Sequence, residues 1–428
     1  MGLLDKGIGE NHRRLYPWML AIIGGAVVLS FIWSAFYPYL MEFYGVADKA
    51  PFALGASALG FGNMLIAPPI AGIILDRWGP KATLALSSLC LIIGAFCMNH
   101  MLSISVWTDA STWWYIGSFI FGFASGCFAA THVSTSSKWN PDKLGYASGI
   151  ANIGPAIGAF WMAPVAAILI PKLGIGGTFS AFAAIGVVVA ILFGIIPLRL
   201  PEPGWKPAGW EVPQKEAFGV TFNEAIRTNK YWILIGCTFI VCLAGFLFAM
   251  NIATLIIEGC ATIGGMDPKV VVATVVTMAI SATAIVNALA RPAWGVVLDK
   301  LGDCWKVLLI LYIGFAISLL LFRFMYTGAV TAVIGACIVY AFFGGTAVAH
   351  MGATSTLFGT KSLGKILGST QVATGVAWVI GPYLGAKLAD ITGSYATALY
   401  TATGCCIVGV ILVLIMMNMI KKNAATSA

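Results

Sequence analysis

The chain is a succession of long apolar runs separated by short polar ones. A bilayer-spanning helix needs about 20 consecutive, mostly apolar residues. Runs of that length lie near 18–41, 52–75, 82–104, 113–135, 146–170 and 175–198, and again near 231–257, 270–298, 306–325, 329–356, 365–388 and 394–420. The pattern predicts an all-α, polytopic membrane protein of twelve transmembrane helices in two pseudo-symmetric six-helix bundles, 1–198 and 231–428, joined by a linker, 199–230. The linker holds Pro201, Pro203, Pro207 and Pro213, which suit a tether. It ends on Thr221-Phe-Asn-Glu224, the spacing of a capping box, and this predicts a short interfacial helix leading into the seventh span.

Composition narrows the class. Of 428 residues, 60% are hydrophobic and 9% charged; an ordinary soluble domain has about 25% charged, so too few charges are available to cover a water-soluble surface. The 49 glycines agree, since glycine lets membrane helices approach closely. The first run is long enough to span and no small-residue cleavage site follows it, so Met1 to Tyr16 reads as a polar tail ahead of a retained helix. The ten cysteines lie mostly within apolar runs, with neither metal-ligand spacing nor a disulfide framework, and read as small packing residues. No metal or cofactor is called for.

Charge sets orientation. Eighteen of the 24 lysines and arginines, from Lys6, Arg13 and Arg14 to Lys421 and Lys422, fall on one side of the alternating runs. Five, Lys49, Lys172, Lys269, Arg323 and Lys387, fall on the other. By the positive-inside rule both termini are expected in the cytoplasm, with the protein in the inner (plasma) membrane. The net charge of +8 is then a topology signal facing anionic lipid and requires no nucleic acid.

The two halves repeat one another. Gly72-Ile-Ile-Leu-Asp76-Arg77-Trp-Gly79 follows the second run and Gly295-Val-Val-Leu-Asp299-Lys300-Leu-Gly302 the eighth; Trp139 to Gly145 after the fourth run matches Phe358 to Gly364 after the tenth. Parallel repeats of this kind build transporters in which two bundles rock about a central site. Glycine allows the tight turn, and Asp76, Arg77, Asp299 and Lys300 are candidates for gating, although such charges also anchor loops at headgroups.

These motifs carry a resemblance. The duplicated D-R-x-G loop resembles that of the major facilitator superfamily. Lys138-Trp139-Asn140-Pro141-Asp142-Lys143-Leu-Gly145 followed by Ala147-Ser-Gly149 is similar to the loop of the oxalate:formate antiporter and monocarboxylate transporter branch, as are Leu357 to Gly364, Gly381-Pro382 and Asp390 to Tyr395. The resemblance covers essentially the whole chain, and its motifs belong to the gate more than to the substrate site.

Arg291 is the one formally charged residue deep within an apolar run, where a charge costs about 3 kcal/mol on insertion scales and is usually functional. Guanidinium offers a planar fork that matches a carboxylate, although an arginine there can also pair with backbone carbonyls beside Pro292. The resemblance implies that this eighth-helix arginine binds the substrate carboxylate. Asn287, four residues earlier, shares its helix face; many proton-coupled relatives carry aspartate at that place. His132 and His350 occupy related positions of the two halves and can donate to an anion or take a proton. Trp33, Phe36, Tyr37 and Tyr39 on the first run, Asn251 on the seventh and Gln371 on the eleventh are further candidates for the cavity wall. The oxalate carrier's second positive charge, a lysine on the eleventh helix, falls near Thr374 here, and its absence favours a monocarboxylate.

The sequence thus points to a secondary transporter of small monocarboxylates of the lactate, pyruvate, formate or acetate class, working by alternating access and coupled to protons or to anion exchange. The run G-x-x-x-x-G-K-[ST] that would hold ATP is missing. Alternatives are an oxalate:formate-type antiporter or a facilitator of another small solute. A sensor would want a long cytoplasmic domain, and an intramembrane enzyme a nucleophile with its base or a metal set.

Overall fold

The computed structural model describes residues 10–202, 204–207, 219–359 and 361–427. Much of the polar tail with Lys6, residues 203 and 208–218 of the expected linker with Lys215, and Thr360 lie outside the described residues. The fold is all-α, as the apolar pattern requires. Among the described residues, ten helices are long and apolar enough to cross a membrane, and two of these are of double length. Ala50–Leu102 leaves helical geometry at Gly79 (φ 77°, ψ −178°) and Tyr146–Ile195 at Gly174 (φ 72°, ψ 175°). Only glycine adopts such a positive φ without strain, so each serves as two spans, and the ten become twelve.

In chain order the spans are α1 His12–Tyr44, α2 50–78, α3 80–102, α4 Trp107–Trp139, α5 146–173, α6 175–195, α7 Asn229–Ala249 with its continuation Ile252–Ile263, α8 Pro268–Leu301, α9 Cys304–Met325, α10 Ala329–Phe358, α11 Leu363–Thr392 and α12 Ala396–Lys422. The chain divides into two compact units, Met1–Pro213 and Gln214–Ala428.

Within the first unit the interior is aromatic. Trp33 lies over Trp114 with ring centroids 5.2 Å apart, and Phe36 over Phe179 at 4.3 Å. Small residues let the helices close: a Cβ on Gly122 would stand 2.0 Å from the carbonyl oxygen of Leu59, so α4 can meet α2 only through glycine there. In the second unit Phe246 stacks on Trp378 (4.6 Å) and Phe315 on Phe343 (5.6 Å), joining α7, α11, α9 and α10.

Each unit straps the entry to its first span to the loop between its fourth and fifth. Arg13 binds both carboxylate oxygens of Asp142, Arg14 adds a third contact, and Tyr16 lies flat on Trp139 (4.9 Å, 7° between planes). In the second unit Gly219 pairs with Gly359 as an isolated antiparallel bridge, and Thr221 and Glu224 form the capping box that their spacing predicts.

Candidate functional site

Arg291 stands in the middle of α8, half-buried, with its Nε out of contact with solvent. It makes no hydrogen bond or ion pair with any other described residue. A desolvated guanidinium without a protein partner is costly, so the position is set up for a ligand that brings its own negative charge. Asn287, one helical turn earlier and 8% exposed, is buried where α8 meets α10. Gly344 on α10 makes room for it, since a Cβ there would lie 2.6 Å from Asn287 Oδ1 and 3.1 Å from the Ala290 methyl. Trp294 completes this seam by donating Nε1–H to the Ala341 carbonyl at 2.9 Å.

The first unit repeats the seam without the charge. Gly126, six residues before His132 as Gly344 is six before His350, lies against Asn63 and Ala67 of α2 as Gly344 lies against Asn287 and Ala290. The spacing on α2 is one residue longer because a π-turn, Phe61–Ile66, adds a residue. With that residue counted, Ala67 matches Ala290 and Pro68 stands where the second unit has Arg291. The cation therefore stands in one copy of a shared packing motif; the offset of the repeated loops already pairs Pro68 with Arg291, and the π-turn hides only the match of Asn63 to Asn287.

The other polar candidates separate into engaged and open. Asn251, fully buried, donates Nδ2 to the carbonyls of Leu247 and Pro382 and accepts from the Tyr395 hydroxyl, so its amide ties α7 to α11 and α12. His132 places Nε2 3.1 Å from Asn152 Oδ1 and Nδ1 3.3 Å from the Phe128 carbonyl. His350 places Nδ1 2.7 Å from the Thr346 carbonyl and Nε2 2.8 Å from the Tyr312 hydroxyl. Both rings thus face protein oxygens through both nitrogens. Tyr37 is buried within the first unit beside the Trp33 and Phe36 cluster, and these aromatics pack the interior. Tyr39 lines a cleft of about 500 Å³ with Glu42, Asn99 and Leu173, which holds an acid and no cation and so does not suit an anion. Gln371 is exposed, and Thr374, partly buried, bonds its own helix at Thr370 and meets Cys242 Sγ at 3.7 Å.

The paired loops also differ. Asp76 lies 3.8 Å from Lys138 of the same unit, whereas Asp299 has no ion pair among the described residues. Gly79 and Gly302, which close the two motifs, both take positive φ (77° and 63°), the geometry the repeated glycine was expected to serve.

The fold also buries a charge that stands at the edge of the apolar runs. Glu258, at the end of the seventh apolar run, is 9% exposed and accepts from the Tyr395 backbone N–H through both oxygens (2.9 Å each), from Ser394 Oγ (2.7 Å) and from the Tyr326 hydroxyl (3.4 Å). It caps the start of α12 from another helix. Its place at the end of a run did not single it out in the sequence, and the fold covers it.

The sequence matches the profile of the Major Facilitator Superfamily over residues 18–266 and 270–427. The chain belongs to that family. It is 25% identical to the oxalate:formate antiporter of Oxalobacter formigenes over 93% of this chain and 90% of that protein. It is also 24% identical to an uncharacterized 38 kDa protein in the 23S RNA operon of Thermoproteus tenax, over 90% and 92%. The crystal structure of the nucleoside transporter NupG superposes with a TM-score of 0.73 at 15% identity, covering 95% of this chain and 100% of that one, a likeness of fold. This is a multi-pass membrane transporter of the Major Facilitator type with a small-solute substrate.

Proposed function

We propose that this transporter carries small monocarboxylates of the lactate, pyruvate, formate or acetate class by alternating access, with Arg291 as the anion anchor. The observation that supports this is the half-buried guanidinium in the middle of α8, its Nε out of contact with solvent, that has no partner among the described residues. A carboxylate supplies two oxygens to its fork. Asn287 on the same face can orient the second ligand group, with Thr374 and Gln371 as neutral lining on α11. The candidate places of Asn251, Tyr37, His132 and His350 as direct ligands are not carried into this reading, because the first two are buried in packing and both rings already face protein oxygens. One fixed charge suits one carboxylate, whereas a dianion would bury an unpaired negative group. Transport is electroneutral, by proton symport or anion exchange: a lone anion entering against about 100 mV, negative inside, costs roughly 2.3 kcal/mol. The lysine and arginine asymmetry supports placement in the inner (plasma) membrane with both termini in the cytoplasm.

Uptake by purified protein in liposomes tests the reading. Lactate and pyruvate should compete with labelled monocarboxylate well ahead of oxalate, malonate or succinate. The second reading, exchange of oxalate for formate, is favoured by the similarity to the antiporter of Oxalobacter formigenes; tight oxalate competition and a strict need for preloaded anion would establish it instead.

A further inference from the structure

His350, Tyr312 and two backbone carbonyls form a chain of three short contacts. Thr346 O to His350 Nδ1 is 2.7 Å, His350 Nε2 to Tyr312 Oη is 2.8 Å, and Tyr312 Oη to Cys237 O is 2.9 Å. Each is a hydrogen-bond distance. A neutral imidazole and a phenol bring two hydrogens to these three contacts, one N–H and one O–H. One contact is then left with lone pair facing lone pair, whichever tautomer the ring adopts. With Nδ1–H on Thr346 and the phenol on Nε2, it is the oxygen pair Tyr312 and Cys237. With the phenol turned to Cys237, it is Nε2 and Tyr312 Oη. A third hydrogen removes the conflict: Nδ1–H donates to Thr346, Nε2–H to Tyr312, and Tyr312 O–H to Cys237. No heavy atom has to move. His132 also faces two acceptor oxygens, of Phe128 and Asn152, but at the longer distances of 3.3 and 3.1 Å and with no hydroxyl to carry the chain onward.

We infer that the His350–Tyr312–Cys237 carbonyl chain is the proton-binding site of this transporter, with the imidazolium as the loaded form; the inference rests on the proposed carboxylate transport only for what the proton does. The groups facing the ring are Tyr312 on α9 and Cys237 on α7, with Cys242 and Cys406 also near Tyr312. On α8 the nearby charge is Arg291, which follows Ala290, packed on Gly344. Gly344 lies six residues, about 9 Å of helical rise, before His350 on α10. Two unneutralised cations on neighbouring helices in an apolar medium repel. A carboxylate on Arg291 removes one of them, so anion and proton load together, and the loaded carrier crosses without net added charge.

The ring can be observed directly. In protein labelled at its four histidines with ¹⁵N and held in lipid nanodiscs, the resonance lost in H350Q assigns His350. Conversion to imidazolium between about pH 5 and 8 supports the site, and a ring that stays neutral across that range overturns it whatever the substrate proves to be. In Y312F the Nδ1 bond remains but the acceptor for Nε2–H is gone, so the conversion should move to lower pH; an unchanged titration overturns the role of Tyr312. In liposomes an inward gradient of one pH unit should drive wild type to about tenfold accumulation and H350Q to none, while the thermal unfolding midpoint of H350Q in detergent, close to that of wild type, reports that it is folded. Equal gradient-driven accumulation by both overturns the inference and leaves carboxylate transport standing. Absence of carboxylate counterflow in wild type counts against the proposed function, and the nanodisc titration then decides the proton site alone.

Discussion

Asp142 and Lys361 occupy the same place of the repeated loop with opposite charge, three residues after Trp139 in one unit and after Phe358 in the other. The partners are inverted to match. Asp142 is gripped by Arg13 and Arg14, and Lys361 lies near the carboxylate of Glu224. The aromatic under each loop is preserved, Tyr16 against Trp139 and Tyr231 against Phe358. The strap at the entry to the first helix of each half is thus one device built with opposite polarity, and the first unit holds its loop through the less exposed pair.

The Asp142 pair should be constant through the working pH range. The Arg13 guanidinium, by hydrogen bonding and charge, holds the Asp142 carboxyl down at about 2, below its ordinary 3.8. A depressed carboxylate contributes stability that is complete above the ordinary value and is lost as pH falls through the depressed one. Asp142→Asn should lower the unfolding midpoint in detergent, costing about 1 kcal/mol for a partly exposed pair, with no change in that cost between pH 5 and 8. A cost that varies over that range would mean another group titrates in the strap.

Arg291→Lys keeps the charge but not the fork, and should weaken carboxylate binding roughly tenfold, the loss of about 1.4 kcal/mol. Arg291→Ala should abolish uptake while leaving the protein monodisperse and helical. Measured by substrate-dependent thermal stabilisation and by uptake, normal transport in the alanine variant would remove Arg291 from the site.

Glu258→Ala leaves the Tyr395 N–H and Ser394 hydroxyl buried without their acceptor, and should cost about 2–4 kcal/mol. Glu258→Gln retains an acceptor oxygen and should cost less. Thermal unfolding of the wild type and the two variants in detergent gives the comparison; equal midpoints in all three would show that the cap carries no stability.

Asp76 has a partner in its own unit and Asp299 has none, so their replacement by Asn should not be equivalent. Both are expected to slow exchange with little change in equilibrium binding. Asp76→Asn alone should be mimicked by Lys138→Gln, which exchange rates in liposomes can read. Loss of binding without loss of rate would place these residues at the substrate and not at the gate.

Helical spans, the duplicated halves, the capping box at Thr221 and the isolation of Arg291 were all legible in the chain, because each depends on residues close in sequence or on apolar length. Periodicity and charge are local properties, and a bilayer enforces them strictly: every backbone polar group must be satisfied within its own helix. What became of the polar side chains was decided elsewhere. Asn251 reads as a cavity residue until Tyr395, 144 positions away, takes its oxygen. Glu258 passes unremarked in the sequence, and Ser394 and Tyr395 close over it from 136 and 137 positions on. His350 and its counterpart His132 look alike in sequence, yet one meets a hydroxyl and the other a carboxamide. The match of Asn287 to Asn63 waits on a π-turn that no hydropathy pattern records. A hydrogen-bond partner is fixed by which helices pack and by the rotation of each about its axis, and that is settled by side-chain fit along the whole length of two helices, a long-range property that a local pattern does not contain.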